Sequence, residues 1–304
     1  MHEDMEQLIE ELFNEALMTE TPLVIVEGQD DIQFYENLAN SISKEILVIA
    51  IENIKDYSEG CENVIKAIKS MQSVIVLKNY YKKYLLGIVD RDSRYFKNSI
   101  PNIECLFILK YYSYESHMAN RKALYNIIQY ITGVSQSMIN EEVLRYVEKD
   151  LFSDFQELYY ISLEALKFAV DDGYNNLVRY KDKAGKLFGE NKDKLLSELY
   201  KKKKNLEIFA NERNILIGDI KYIAKGKWYL HVYAKSTFKN IKTLHIACKN
   251  NNIEQCQYCR VGKFNKCLYK PKSNFQLGQI LKLLLTSYDE EEVSYIKDRL
   301  RLLA

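Results

Sequence analysis

Through the first 110 residues, short unbroken apolar runs alternate with stretches of helical spacing. Residues 23–26 (Leu-Val-Ile-Val), 45–52 (Glu-Ile-Leu-Val-Ile-Ala-Ile-Glu), 84–89 (Tyr-Leu-Leu-Gly-Ile-Val) and 103–109 are dominated by side chains that suit strands covered on both faces. Between them, Leu8, Ile9, Leu12, Phe13 and Leu17, with Met5, mark an amphipathic helix over residues 3–18. Ile32, Phe34, Tyr35, Leu38 and Ile42 mark a second, with Asp30 as its expected N-cap. A third helix is expected over about 58–71, and residues 72–83 fit strand or helix equally well. The order β-α-β-α-β implies right-handed crossovers and a parallel sheet. With the first strand between the second and third, Glu27 would neighbour Asp90 and Asp92 at a topological switch point, where open α/β sheets place their sites. Strand alternation would put Asp90 and Asp92 on one face.

Beyond His117 the strand signal stops. Leu124, Ile127, Ile128 and Ile131, then Val143, Tyr146 and Val147, then Leu163, Leu166 and Phe168 keep helical periodicity. The expected organisation is an α/β core over 1–120, a helical insertion over 121–215, and a return to the core over 216–304. That last segment carries a cysteine-rich loop and two closing amphipathic helices. The run Lys201 to Lys204 reads as a solvated helix face.

Composition narrows the classes. A chain of 304 residues can build a full core, and a formal charge of +1 excludes a generally basic nucleic-acid-coating protein, so any nucleic-acid contact must be local. No apolar run reaches membrane-spanning length, and the acidic amphipathic start is unlike a secretory signal, so the expected compartment is the cytoplasm. Six cysteines in that setting read as thiols or metal ligands rather than disulfides.

Val26-Glu27-Gly28-x-x-Asp31, followed by Asp90-x-Asp92, resembles the TOPRIM fold of topoisomerases, primases and OLD-family nucleases. Tyr111-Tyr112-Ser113-Tyr114-Glu115-Ser116-His117 resembles an element of the TOPRIM-related effector nucleases of PARIS anti-phage systems, the AriB-like family. The likeness covers about the first 120 residues and, more thinly, Gly226-Lys227. It implies a TOPRIM-like parallel sheet flanked by helices. Five carboxylates, Glu27, Asp31, Asp90, Asp92 and Glu115, would then approach one sheet edge. Oxygen-only ligands select hard cations, Mg²⁺ or Mn²⁺, and two such ions can cleave a phosphodiester. Asp90 and Asp92 would hold one ion, Glu27 would bridge or act as base, and Asp31 with Glu115 would complete a second site. The resemblance to OLD nucleases also implies a basic residue on the scissile phosphate, for which Lys227 is the candidate and Lys225 an equal alternative.

Cys248, Cys256, Cys259 and Cys267 are spaced C-x7-C-x2-C-x7-C, which suits a closed tetrahedral Zn²⁺ site, with His245 as an alternative ligand. Loop thiols or a redox pair are the competing readings. Arg260, Lys263, Lys266, Lys270 and Lys272 surround them, interleaved with Tyr258, Phe264 and Tyr269, a pattern that suits RNA or a protein partner.

The expected activity is that of a Mg²⁺-dependent endonuclease. The resemblance further implies a toxic anti-phage effector that cleaves host tRNA once released from an ABC-type ATPase partner similar to AriA. Two other readings stay open: a non-catalytic, metal-stabilised nucleic-acid-binding or regulatory module, and a DNA-cleaving OLD-like nuclease. Oligomeric state is open as well.

Overall fold

Strand β1, Leu23–Val26, is buried along its whole length and lies inside a four-stranded sheet. The structure, a computed structural model, describes residues 7–97, 99, 101–171, 173–272 and 274–304, so the expected helical start at residues 3–6 and Ile100 of the 99–101 loop lie outside the described residues. The other strands are β2, Leu47–Ala50, β3, Leu85–Val89, and β4, Leu106–Ile108, in the order β2-β1-β3-β4. All three pairings are parallel, with Leu23 opposite Leu85 and Ile25 opposite Gly87. The chain therefore steps from β1 outward to β2 and then back past β1 to β3. The β1/β3 boundary is the switch point that the apolar pattern anticipates.

Helix α1, Ile9–Thr19, and helix α3, Cys61–Ser70, share one apolar cluster with the sheet through Ile9, Leu12, Phe13, Val64 and Ile68. Helix α2, Gln29–Ser41, buries Phe34, Tyr35 and Leu38 outside that cluster, as crossovers of one hand running in opposite directions require. Its N-cap is Gly28 rather than Asp30. Asp31, at the third helical position, accepts the Gly28 N–H at 3.2 Å and so occupies the carboxylate place of a capping box. Residues 72–83 resolve into a helical turn, Gln72–Ile75, and a 3-10 turn, Asn79–Lys83.

The chain divides into two compact units, 1–114 with 291–304, and 115–290. The second is helical: α4, Arg121–Ile131; α5, Glu141–Glu148; α6, Leu151–Val170; α7, Lys192–Lys201; α8, Lys203–Glu212; α9, Gly226–Lys249; and α10, Leu277–Leu284. Here the expected return to the core at residue 216 is corrected. The apolar run after Gly226 continues as the 24-residue α9, which packs against α5, α6 and α10 and so belongs to the helical unit. Only the end of the chain rejoins the first unit, through helix α11, Glu290–Arg301, and an Ala304 N–H donated to the Lys83 carbonyl at 2.9 Å. The lysine run is also more than a solvated face. Lys202 donates to Glu164 at 2.8 Å, and that carboxylate is fully buried and also accepts the Leu177 N–H and the Tyr174 hydroxyl. Among the described residues no helix is long and apolar enough to cross a membrane.

Gly87 shows how closely the first unit is packed. A Cβ there would lie 2.5 Å from Ile68 Cγ1 and 3.1 Å from Val64 Cγ1, so only glycine lets α3 cross β3 at this height. Gly87→Ala should cost about 1–3 kcal/mol, the usual penalty for overpacking a filled core. Combining it with Ile68→Val should recover part of that loss. Urea midpoints of the single and double variants test this, and an unchanged midpoint for Gly87→Ala would refute the close approach.

Candidate functional site

Strand β1 delivers Glu27 to the carboxyl edge of the sheet, and β3 delivers Asp90 beside it. The two meet through one hydrogen bond, the Asp90 N–H donating to Glu27 Oε1 at 2.7 Å. Glu27 is also fixed from its own backbone, where its carbonyl accepts the Gly60 N–H at 2.9 Å. Burial pushes the Glu27 carboxyl above its ordinary range. The Asp90 amide and the Arg94 charge oppose that rise, and the Asp92 charge adds to it.

Asp90 and Asp92 do not share a strand face. The strand ends at Val89, and Asp92 opens a 3-10 turn, Asp92–Lys97, with φ at +40°. That left-handed backbone is tolerated because the Asp92 side chain caps its own turn, accepting the Arg94 N–H at 2.6 Å. Arg94 then folds back over the edge. Its guanidinium pairs with Asp92 at 3.1 Å and with Glu62 at 3.3 Å, and donates to the Cys61 sulfur. Burial raises Asp92 as well, against the pull of Arg94, and burial beside Glu27 pushes the Cys61 thiol far up, so it stays protonated.

The predicted carboxylates are thus not gathered at one point: Glu27 and Asp92 at the edge, and Asp31 beyond it, each have a partner of their own. Asp31 lies at the start of α2 on the Gly28 amide. Glu115 lies in the second unit, buried in a 3-10 turn, Tyr114–His117, where its charge acts on Lys225. Among the described residues, the one group of His, Cys, Asp or Glu side chains gathered closely enough to hold a single ion is the cysteine cluster. Lys227 is exposed near the start of α9, whereas Lys225 is half-buried and donates to the Tyr180 carbonyl at 2.9 Å. Burial and then the neighbouring Lys227 charge lower the Lys225 ammonium.

Several edge residues escape the sequence reading. Arg94 is one; its signal was a cation two positions past the acidic pair. Glu52 lies in the 3-10 turn Ile51–Asn53 that follows β2, and its Oε1 accepts the Gln29 N–H at 3.0 Å while its buried Oε2 has no hydrogen-bond partner. Tyr35 is buried, and its phenol is held up first by burial and then by the Asp31 and Asp90 charges. Tyr295 of α11 accepts the Lys110 N–H at 3.0 Å and feels Asp90 in the same way. Neither tyrosine could be told from the other apolar-face aromatics in a chain with 24 of them.

In the second unit Cys248, Cys256, Cys259 and Cys267 are all buried, all free, and have their sulfurs within 4.8 Å of one another. Cys256 and Cys267 are 4.0 Å apart, close to the roughly 3.8 Å edge of a tetrahedron with metal–sulfur bonds of about 2.3 Å and far outside disulfide length. The Cys256 N–H donates to the Cys248 sulfur at 3.3 Å. Burial would raise Cys256, but N–H groups of Leu268, Cys259 and Tyr258 outweigh it and bring the thiol down to about 7. Burial leaves Cys267 pushed up to about 12 and lifts Cys248 as well. One sulfur already favours the thiolate that a metal binds, and the donor set is closed. The four cysteines can therefore hold a metal ion. His245 is not part of the group, and its buried Nδ1 has no hydrogen-bond partner.

Compared with known proteins, the chain matches no family model, and no curated protein sequence matches it significantly.

The Arg94–Asp92 pair gives the edge a measurable signature. Both side chains are only partly shielded, so a double-mutant cycle of Arg94→Met and Asp92→Asn should return about 1 kcal/mol of coupling, with Arg94→Met alone costing about 1–2 kcal/mol. Denaturant melts of the four proteins at low salt measure it. Additive variants would show that Arg94 does not hold Asp92 in solution.

Proposed function

We propose that this chain is a metal-dependent endonuclease of TOPRIM type, hydrolysing nucleic-acid phosphodiesters. The observation that carries this reading is the meeting of Glu27 with Asp90 at the switch point between β1 and β3, with Asp92 following in the next turn. The donor set fits a hard cation: it is all oxygen, and Glu27 and Asp92 are each raised by burial in a way that a bound cation would relieve. Glu27, Asp90 and Asp92 would hold it once Arg94 left Asp92 and the three carboxylates, which are not gathered around one point here, closed on the ion, with Asp31 joining by leaving the Gly28 amide. Mg²⁺ or Mn²⁺ supplies charge stabilisation at the phosphate and lowers the pKa of a bound water. Glu27 would accept a proton beside it, and Arg94 would trade Asp92 for phosphate oxygens. RNA as substrate, host tRNA in particular, and restraint by an ABC-type ATPase partner are supported by the resemblance of the 111–117 segment to the AriB-like effectors.

The rival reading is a non-catalytic regulatory module, favoured by the way Arg94 already neutralises Asp92. Incubating purified protein with Mg²⁺ and total RNA or plasmid DNA, then sequencing new ends, separates the two. Asp90→Ala should lose at least 100-fold in cleavage while its melting temperature stays level or rises. Cleavage near the parental rate in that variant would rule out the enzyme reading.

We further propose that the metal of the cysteine cluster is zinc in a structural role. One zinc per chain is expected by elemental analysis, since four sulfurs close a single tetrahedral site. Replacing Cys256 and Cys259 together with Ser should release it and open residues 242–272 to protease, because binding energy at such a site is folding energy. Metal-free protein with that segment equally protected would refute the assignment.

A further inference from the structure

The cysteine segment concentrates the charge of the protein. Residues 242–272 carry Lys242, Lys249, Arg260, Lys263, Lys266, Lys270 and Lys272 against the single carboxylate of Glu254. Seven cations and one anion make this stretch +6, which leaves the remainder of a +1 chain at −5. All seven cations are exposed. Arg260 pairs with Glu254 at 2.5 Å, while Lys263, Lys266 and Lys270 have no acidic partner among the described residues. A local field of one sign on a nearly neutral protein is the footprint of a polyanion site.

A cavity of about 430 Å³ opens beside the cluster. Ser135, Ser137, Gln255, Gln257, Arg260 and Tyr269 line it with hydroxyl, amide and guanidinium groups, and its one carboxylate, Glu254, is paired with Arg260. Its size is that of a small-molecule pocket rather than a water site. The exposed Ser135 and Ser137 hydroxyls hydrogen-bond at 2.9 Å, and the Tyr269 hydroxyl donates to the Met138 carbonyl at 2.8 Å, which ties the 135–138 turn to the cysteine segment. Amides and hydroxyls that both donate and accept suit the edge of a nucleobase. On the adjoining surface Phe264 is 42% exposed, with the Lys249 ammonium 5.5 Å from its ring centre, a face on which a base can stack.

We propose that this segment binds single-stranded nucleic acid, with Lys263, Lys266 and Lys270 on the phosphates, a base on Phe264, and one base turned into the cavity. A duplex keeps its bases stacked and cannot fill such a cavity without paying to unstack one. The proposal stands on the second unit alone and holds whether or not the carboxylate edge is catalytic.

The test is fluorescence anisotropy of a labelled single-stranded 12-nucleotide RNA, its DNA counterpart and the matching duplex. The full chain is used with Glu27→Ala, so cleavage does not interfere. Replacing Lys263, Lys266 and Lys270 together with Gln should weaken single-strand binding at least 10-fold. It should also make the slope of log affinity on log salt shallower by about 2, at roughly 0.7 per phosphate contact. Ser137→Trp, which fills the cavity from an exposed position, should weaken binding at least 3-fold with the salt slope unchanged. Gln257→Ala checks the same wall without added bulk, and zinc content with a thermal melt confirms that each variant is folded. Equal affinity in the triple variant, equal binding of duplex and single strand, or competition by polyglutamate as strong as by oligonucleotide would overturn the proposal, the last pointing to an acidic protein instead.

Discussion

The parallel pairing of β1 with β3 fixes where Glu27 and Asp90 meet, and the carboxylate edge follows from it. Register is a real problem for two strands that are apolar on both faces, because sliding one along the other exposes nothing polar. Gly87 supplies the missing constraint. It lies opposite Ile25, at the height where Ile68 of α3 comes too close for any Cβ. A slip of one residue would put Leu86 or Ile88 under Ile68, a clash that packing cannot absorb. A glycine in the core thus sets, a few residues along the strand, which backbone amide Glu27 receives.

That edge then has to tolerate its own charge. Carboxylates brought towards one another raise one another's pKa unless something neutralises them. Two devices share the work: backbone amides on Glu27, Asp31 and Asp92, and the Arg94 guanidinium across Asp92, Glu62 and Cys61, while burial shifts Glu27 upward. Arg94 is largely covered and shared among three partners, of which only Glu62 is well solvated. One guanidinium thus does at this edge what a bound cation would otherwise have to do.

What the sequence made legible was decided by local signals. The four apolar runs marked their strands, and Glu27 and Asp90 could be placed at neighbouring ends because strand order follows from crossover handedness. Boundaries were harder: β2 and β4 shrink to four and three residues because Glu45 and Glu104 stand outside the paired core. The placement of Asp92 failed because a side-chain cap on its own turn is stronger than continued strand alternation. The segment after residue 216 misled for a different reason. Trp228, Tyr229 and Leu230 are consecutive buried residues that read as a strand, whereas the exposed stripe that marks the helix (Lys227, Lys235, Lys239, Lys242 and Lys249) emerges only over the full length of α9. Glu164 was invisible, since nothing local says that a carboxylate 38 residues from Lys202 will be sealed beneath it. The cysteine cluster was the most legible feature of all, because thiol spacing encodes a geometry directly.

The two units also hold themselves together by different means. In the first, apolar side chains from α1, α3 and the sheet fill one cluster. In the cysteine segment the larger apolar residues are not all available for this: Val261 and Phe264 face solvent, and Ile253 and Tyr269 are buried. The four cysteines therefore make up half of the buried residues of the segment, beside Leu244, Ala247, Ile253 and Tyr269. A core of thiols around an ion would need little apolar surface, leaving the remaining positions of the segment to carry lysine, arginine and an exposed ring. A hydrophobic core of equal stability would have required those positions for burial. The same economy that ties the loop together with cysteines thus permits its charge.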